Sequence, residues 1–285
     1  MKILGIHASY NALNHDPSAT LLIDGKIISA MEEERFNRVK TSVGYFPYYS
    51  IKNILSSNAL NIKDIDLVVS TGETYPLLKK KIRKSLIHSF GYSPKIVLMN
   101  HALAHAYGAY YSSGFDKSLV ISIDALGDKI SLLVVNASKN KFKTTYKSGQ
   151  GKELESIGCF YASFTEYLGF RRSEGEFKLM GMAAYGKRKI NLDKIIKIRD
   201  NPFKVNVNPK LTTENKIPVT STFDPMVNID FLKKTLDGKP MNEKKYKQNH
   251  FDLALSVQTK YEEILLKIVK KFKEVHKNLC LSGGC

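Results

Sequence analysis

Residues Asn100 to Asp124 read NHALAHAYGAYYSSGFDKSLVISID, and this stretch decides how the chain is organised. Asn100 is a residue type that caps helix N-termini, and the small and apolar residues after it predict a helix from His101. A glycine-containing turn follows, and the β-branched run LVISID predicts a strand that ends at Asp124. We place the junction between two halves of the chain near residue 115, inside this stretch.

The same stretch contains three candidate metal ligands. His101 and His105 are four residues apart, which puts both imidazoles on one helix face with Cβ atoms roughly 6 Å apart. Asp124 at the strand end would add a carboxylate oxygen, and imidazole with carboxylate suits Fe, Mn or Zn. Two histidines at this spacing are also common as packing or surface residues, so the motif alone leaves both interpretations open.

Upstream of this stretch the sequence predicts one complete sheet with helices. KILGI, ATLLID and KIISAM predict three antiparallel strands, with Asp24 and Gly25 as a hairpin turn. A helix over 47–59, the strand IDLVVST, a basic helix over 76–90 and the strand KIVLM follow. The order β-β-β-α-β-α-β-α is that of a ribonuclease-H-like half of the actin, sugar-kinase and Hsp70 superfamily, which we assign to residues 1–115.

Downstream, residues 116–285 predict a second copy of the same half. SLVISID, ISLLVVN and FKTTYKSG repeat the three opening strands, and residues 157–185 are helix-forming. Residues 200–247 hold five of the nine prolines, which predicts an irregular insertion. A long amphipathic helix from His250 leads to the strand LCLS and then to Ser282, Gly283 and Gly284. A core strand without a return element indicates that the second half is truncated, so we expect a fragment of a longer protein.

Composition restricts the setting and the partners. The 285 residues carry 44 Lys+Arg against 27 Asp+Glu, a net charge of +17. The excess lysines are scattered over helix faces, so a solvated surface is favoured over a nucleic-acid partner. Cys159, Cys280 and Cys285 form no CxxC pair, and no segment reaches about 18 apolar residues. We therefore expect a cytoplasmic protein without a membrane partner.

Several motifs together resemble one family, the nodulation and antibiotic-pathway carbamoyltransferases. The matching stretches are ILGIHASYNALNHDPSATLLIDGKIISAMEEERFNRVK, NHALAHA, ISIDALGD, SIGCFYASFTEYLGF, GEFKLMGMAAYG and SVQTKYEEILLKIV leading to NLCLSGG. They run in the family's order over nearly the whole chain, which makes the resemblance far more specific than any single motif.

The resemblance implies a metal, a co-substrate and a missing domain. It implies that His101, His105 and Asp124 hold Fe(II), with Mn or Zn as alternatives, together with an aspartate from beyond residue 285. It implies ATP and carbamoyl phosphate as substrates, and a further domain that joins them into carbamoyl-adenylate. The carbamoyl group then passes to a hydroxyl group of a small molecule.

Seven further residues are candidate site residues. His15 is a candidate base or carbamoyl-binding residue, although a loop histidine is also compatible with a polar turn. Arg38 is a candidate phosphate ligand, with an ion pair to the preceding glutamates as the alternative. Lys178 is a second candidate phosphate ligand, and Gly181 with Ser282, Gly283 and Gly284 would approach the nucleotide. A simple turn also explains Ser-Gly-Gly.

The sequence thus predicts an O-carbamoyltransferase represented by its N-terminal part. Two alternatives stay open at this point. One is a protein like the tRNA threonylcarbamoyl transferases, which share HxxxH and would bind RNA with a strong salt dependence. The other is an inactive truncated remnant.

Overall fold

The computed structural model describes residues 1–10, 15–139, 141–149, 155–201, 203–212, 227–236, 246–273 and 277–285. The chain divides into two compact units, one up to His101 and one from Ala102. No helix in these described ranges is both long and apolar enough to cross a membrane.

The first unit is a five-stranded sheet with helices. Its elements are β1 Lys2–His7, β2 Ser18–Ile23, β3 Lys26–Glu32, α1 Glu34–Asn37, α2 Tyr48–Ser57, β4 Leu67–Thr71, α3 Leu78–Phe90 and β5 Lys95–Met99. The strand order is β3-β2-β1-β4-β5. The first three strands pair antiparallel, whereas β1, β4 and β5 pair parallel. The predicted ribonuclease-H-like order is confirmed in this unit.

The core of the first unit follows from the alternation along its strands. Leu4 on β1 and Leu21 on β2 are fully buried against Ile51 and Ile54 of α2 and Ile82 of α3. Because alternate strand residues point to opposite faces, one residue in two is available for this core. The burial of these apolar side chains holds α2 and α3 against the sheet.

The second unit repeats the antiparallel opening. Its elements are α4 His101–Ser113, β6 Lys117–Gly127, β7 Ile130–Ser138, β8 Lys141–Gly149, α5 Ile157–Tyr167, α6 Glu176–Ala183, β9 Ile196–Asp200, β10 Phe203–Val207, α7 Ile229–Thr235, α8 Gln248–Phe272 and β11 Leu279–Ser282. One sheet has the order β11-β6-β7-β8, with β11 parallel to β6, and β9 pairs with β10 in a separate hairpin. In the described residues this larger sheet has four strands.

The two faces of this sheet are covered by different helices. On one face, Val120 and Leu133 pack with Ala102, Ala106 and Tyr110 of α4. On the other face, alternate residues of β6 and β7 pack in the large core that contains residues of α5 and α8. Helix α4 therefore belongs to the core of the second unit, which explains why the compact units divide at His101 and not near residue 115 as the sequence predicts.

The predicted insertion over 200–247 is in part regular. Phe203–Val207 forms β10, and Ile229–Thr235 forms α7. Within β10 the valines at 205 and 207 are buried and alternate with Lys204 and Asn206, which is the pattern of a half-buried strand. The five prolines of residues 200–247 predict irregular structure and outweigh this short alternation in the sequence. Residues 213–226 and 237–245 of the predicted insertion lie outside the described residues.

Candidate metal centre

The three predicted metal ligands come together in the structure. His101 and His105 lie on α4, and Asp124 lies near the end of β6. Each offers one donor atom, and the three atoms lie within 4.8 Å of one another. This arrangement brings two imidazoles and one carboxylate, a donor set that suits Fe, Mn or Zn, to one place.

Asp124 lies at the start of a local irregularity of the sheet. The pairing of β6 with β7 is regular up to Ile123, and then the register shifts before Gly127. Asp124 keeps the face of β6 that is turned to α4, where it meets His105. The Asp124 Oδ1 accepts a hydrogen bond from the Ala125 backbone N–H at 2.7 Å, and its Oδ2 lies 3.5 Å from Nε2 of His105. Both side chains are partly open, with 36% of His105 and 19% of Asp124 exposed.

Ser282, Gly283 and Gly284 lie beside Asp124. A Cβ added to Gly284 would stand 3.3 Å from Oδ1 of Asp124, and one added to Gly283 would clash with the Ile123 carbonyl. Gly283 also has φ +104, which L side chains rarely adopt. Gly283 is therefore needed for the close approach of this turn to β6, and a side chain at position 284 would be tightly packed against Asp124. Their predicted contact with a nucleotide stays a prediction.

Helix α5 begins against the same turn. Its N-cap, Ser156, accepts a hydrogen bond from the Cys159 N–H at 3.0 Å and donates one to the Ala125 carbonyl. A Cβ on Gly158 would lie 2.6 Å from Cys285 Sγ. Residue Cys285 is exposed as a whole, but burial of its thiol, together with the nearby Asp124 carboxylate, raises the pKa of that thiol to about 12. The thiol is therefore neutral near pH 7.

His15 forms a pair with its neighbour. Its Nδ1 lies 2.6 Å from Oδ2 of Asp16, and both side chains are about half exposed. The hydrogen bond from His15 is the main cause that lowers the pKa of the Asp16 carboxyl. When the ring is neutral, a carboxylate that accepts a hydrogen bond from Nδ1–H leaves the lone pair on Nε2. That tautomer is the one a general base requires, and the role of His15 stays a prediction.

His7 is a residue that the sequence analysis did not single out. It ends β1, and its Nδ1 lies 3.0 Å from Oγ1 of Thr71 at the end of the parallel strand β4. Burial, and then the charges of His101 and His15, lower the pKa of His7 to about 4. His7 is thus a neutral imidazole in electrostatic range of both His101 and His15. His7 lies at the carboxyl end of a strand in a parallel pair, where α/β folds bind ligands, and this position could have marked it as a candidate site residue.

The remaining candidates lie on exposed surface. Arg38 is exposed at the end of α1 with φ +58, while its neighbour Arg35 forms the ion pair with Glu32 at 2.8 Å. Lys178 is exposed on α6 and lies over the Phe170 and Phe177 rings. Their predicted phosphate contacts stay predictions.

Gly181 lies on the same helix as Lys178, and a Cβ there would meet nothing within 4 Å. No backbone close approach requires a glycine at this position. Its predicted approach to a nucleotide stays a prediction.

Residues 72–285 match the family described as the carbamoyltransferase N-terminus. The chain belongs to this family. Among its relatives is the nodulation protein NolNO of Sinorhizobium fredii, 29% identical over 96% of this chain and 41% of that protein. An uncharacterized protein of Synechocystis is 28% identical over 99% of this chain and 50% of its own length. The uncharacterized protein MJ1051 of Methanocaldococcus jannaschii is 35% identical over 70% of this chain and 36% of that protein. The chain therefore spans half the length, or less, of these relatives of the carbamoyltransferase family.

Among solved structures, HypF of T. kodakarensis is similar to this carbamoyltransferase-family chain. The TM-score is 0.56 at 13% sequence identity, over 98% of this chain and 41% of HypF. At this identity the likeness shows the fold alone. The fold is the duplicated ribonuclease-H-like one that the order of elements predicts.

Proposed function

We propose that this chain is the N-terminal part of an O-carbamoyltransferase that transfers a carbamoyl group from carbamoyl-adenylate to a hydroxyl group of a small molecule. The observation that carries the proposal is the convergence of His101, His105 and Asp124 in a chain of this family. A carbamoyl donor with a phosphate leaving group needs a cation at its phosphate oxygens, and this donor set is suited to hold one.

The metal is Fe(II) in this proposal, with Mn or Zn as the alternatives that the same ligands accept. When bound, the ion neutralises charge on the phosphate oxygens and so makes the phosphate a better leaving group. The three protein donors leave coordination positions for substrate oxygens. A fourth protein ligand would come from the part of the longer protein that follows residue 285.

His15 takes the proton of the acceptor hydroxyl in the transfer step. The hydroxyl oxygen forms a bond to the carbamoyl carbon, the bond from that carbon to the AMP oxygen breaks, and AMP leaves. His15 has the orientation for this role because Asp16 holds its Nδ1 at 2.6 Å and directs the lone pair to Nε2. Arg38 and Lys178 provide positive charge for phosphate oxygens, and Gly181 with Ser282 to Gly284 borders the nucleotide.

The preceding step, in which ATP and carbamoyl phosphate form carbamoyl-adenylate, belongs to another domain of the longer protein. Two observations support this division. The relatives are about twice as long as this chain or longer, and the sequence has no GxxxxGK[ST] phosphate-binding loop. We therefore expect the 285-residue chain alone to release no pyrophosphate from ATP and carbamoyl phosphate.

The test uses the purified chain loaded anaerobically with ferrous iron. We expect stoichiometric iron and, with water as the acceptor in place of the small-molecule hydroxyl, release of AMP and carbamate from added carbamoyl-adenylate. We expect His105→Ala to lose both. The matched control is His88→Ala, an exposed histidine on α3, which should keep both. AMP release that is unchanged in His105→Ala would contradict the proposal. Pyrophosphate release by the chain alone would contradict the division of steps.

A further inference from the structure

Two serine hydroxyls next to the candidate metal centre have no hydrogen-bond partner among the described residues. Ser122 on β6 is 1% exposed, and among the described residues nothing hydrogen-bonds to its Oγ. Ser282 on β11 is opposite Ser122 in the parallel register, and its buried Oγ likewise has no partner in the described part of the chain. Neighbouring strands are about 4.8 Å apart, so the two hydroxyls stand side by side.

Both hydroxyls face helix α4. Val120 and Asp124 flank Ser122 at a spacing of two residues on β6, so the three side chains share one face of the strand. Val120 packs with the alanines of α4, and Asp124 meets His105 of the same helix. On β11, Cys280 packs in that cluster with Val120, which places Ser282 on the same face. The pair therefore lies between the apolar contact of α4 and the metal ligands.

A buried hydroxyl without a partner destabilises a protein, and such groups call for an explanation. Another buried serine on the same strand does have hydrogen-bond partners. Ser118, on the same face and fully buried, has the Leu119 carbonyl at 2.9 Å, the Asn278 carbonyl at 3.3 Å and Cys280 Sγ at 3.2 Å within hydrogen-bonding range. Ser122 and Ser282 differ from Ser118 in being close to Asp124. No hydrogen bond among the described residues accounts for their two hydroxyls.

We propose that Ser122 and Ser282 together donate hydrogen bonds to one metal-bound oxygen atom at the His101, His105 and Asp124 centre. This inference rests on the proposed function, because it requires a metal at that centre. Two donors about 4.8 Å apart can both reach a single oxygen at ordinary hydrogen-bond distances of about 2.8 Å. The oxygen belongs either to a metal-bound water or to a metal-bound phosphate group.

The two sources of that oxygen are separated by titrating Mn²⁺ alone, and then inorganic phosphate into the Mn²⁺-loaded chain. We expect Ser122→Ala to weaken one of these two affinities about tenfold, the size typical for loss of a group that supports a metal site. A weaker Mn²⁺ affinity assigns the oxygen to water. A weaker phosphate affinity with unchanged Mn²⁺ affinity assigns it to phosphate. The Ser122→Ala, Ser282→Ala double variant should act on the same affinity.

Thermal unfolding of the same variants separates a ligand role from a structural one. Ser122→Ala should keep or raise the melting temperature, because it removes an unpartnered polar group. The matched control Ser118→Ala should lower the melting temperature and keep both affinities. Equal affinities in wild type and Ser122→Ala would overturn this inference alone. A wild-type chain that binds none of Fe(II), Mn²⁺ and Zn²⁺ would overturn the proposed function and this inference with it.

Discussion

Individual glycines in this chain have different reasons to be glycine. Gly283 has no room for a side chain, since a Cβ would clash with the Ile123 carbonyl and its φ is +104. Gly181 on α6 has open space around it and no unusual backbone angle. A packing requirement therefore explains Gly283, whereas no packing requirement explains Gly181.

This contrast gives a prediction for Gly181→Ala. Alanine inside a helix is more favourable than glycine, so the variant should be more stable by about 0.5–1 kcal/mol in chemical unfolding. If Gly181 borders the nucleotide as proposed, binding of carbamoyl-adenylate should become weaker at the same time. A variant that is more stable and binds carbamoyl-adenylate as well as the wild type would remove Gly181 from the site.

The site residues that the sequence predicts differ in one respect from those that only the structure reveals. His101, His105 and Asp124 are close along the chain, so helix periodicity and a strand end are enough to bring them together. His7 and Ser122 are single residues whose neighbours in space come from distant segments of the chain. His7 meets Thr71 of β4, and Ser122 stands beside Ser282 of β11. No local pattern contains such a pairing, because it depends on the strand order of the sheet.

At the scale of elements, strands flanked by turn residues were predictable, and a strand inside a proline-rich stretch was not. Strands β1 to β8 have apolar runs or alternation bounded by turn residues, and they form as predicted. Asp24 and Gly25 both have positive φ, as the predicted hairpin turn requires. Strand β10 has the alternation of a half-buried strand, but it lies in the proline-rich stretch 200–247, which predicts an irregular insertion. Helix boundaries were predicted well where glycine follows, as at the end of α3 at Gly91.

One buried carboxylate joins two elements of the second unit. Asp252 on α8 accepts hydrogen bonds from the backbone N–H groups of Lys187 and Arg188, at 2.7 and 3.2 Å, and from the Gln248 side chain at 2.9 Å. The Lys187 N–H and then the Gln248 amide lower the pKa of this carboxyl. These hydrogen bonds hold the loop after α6 against α8.

Because the folded pKa of Asp252 is depressed, its contribution to stability is present above the ordinary aspartate pKa of about 4 and is lost as the pH falls through the folded value. We expect Asp252→Asn to lose about 1–2 kcal/mol of unfolding free energy at pH 7. The difference from wild type should shrink in acid, as urea unfolding at pH 7 and pH 3 would show. Asp230→Asn, at an exposed position on α7, is the control and should change little at either pH. A constant difference for Asp252→Asn at both pH values would rule out the charge as the cause.

At the scale of the whole molecule, β11 is an edge strand with a solvent-exposed apolar side chain. It pairs with β6 in the described sheet, and Leu281 on it is 60% exposed. Exposed apolar edge strands promote pairing with other chains. By contrast, the opposite edge β8 carries Lys141, Lys143 and Lys147, and lysines protect an edge from such pairing.

We therefore expect Leu281→Lys to reduce self-association of the purified chain, measured by light scattering against protein concentration. Leu266→Lys on α8 is a matched control, because Leu266 is 59% exposed but lies on a helix. It should have a smaller effect. Equal effects of the two substitutions would mean that a lysine at any exposed apolar position reduces self-association. No effect of Leu281→Lys would exclude the β11 edge as the contact.

The turn of Gly283 and Gly284 against Ile123 and Asp124 also sets an order of events during synthesis. Helix α4 and the β6–β7–β8 meander are local in sequence and are able to form while the ribosome is still translating α8. The turn that backs Asp124 leaves the exit tunnel much later, and distant parallel pairing is slow to form. A metal ion bound before then would meet the three ligands without this turn. If the centre binds a metal as proposed, we expect metal loading to follow the pairing of β11 with β6.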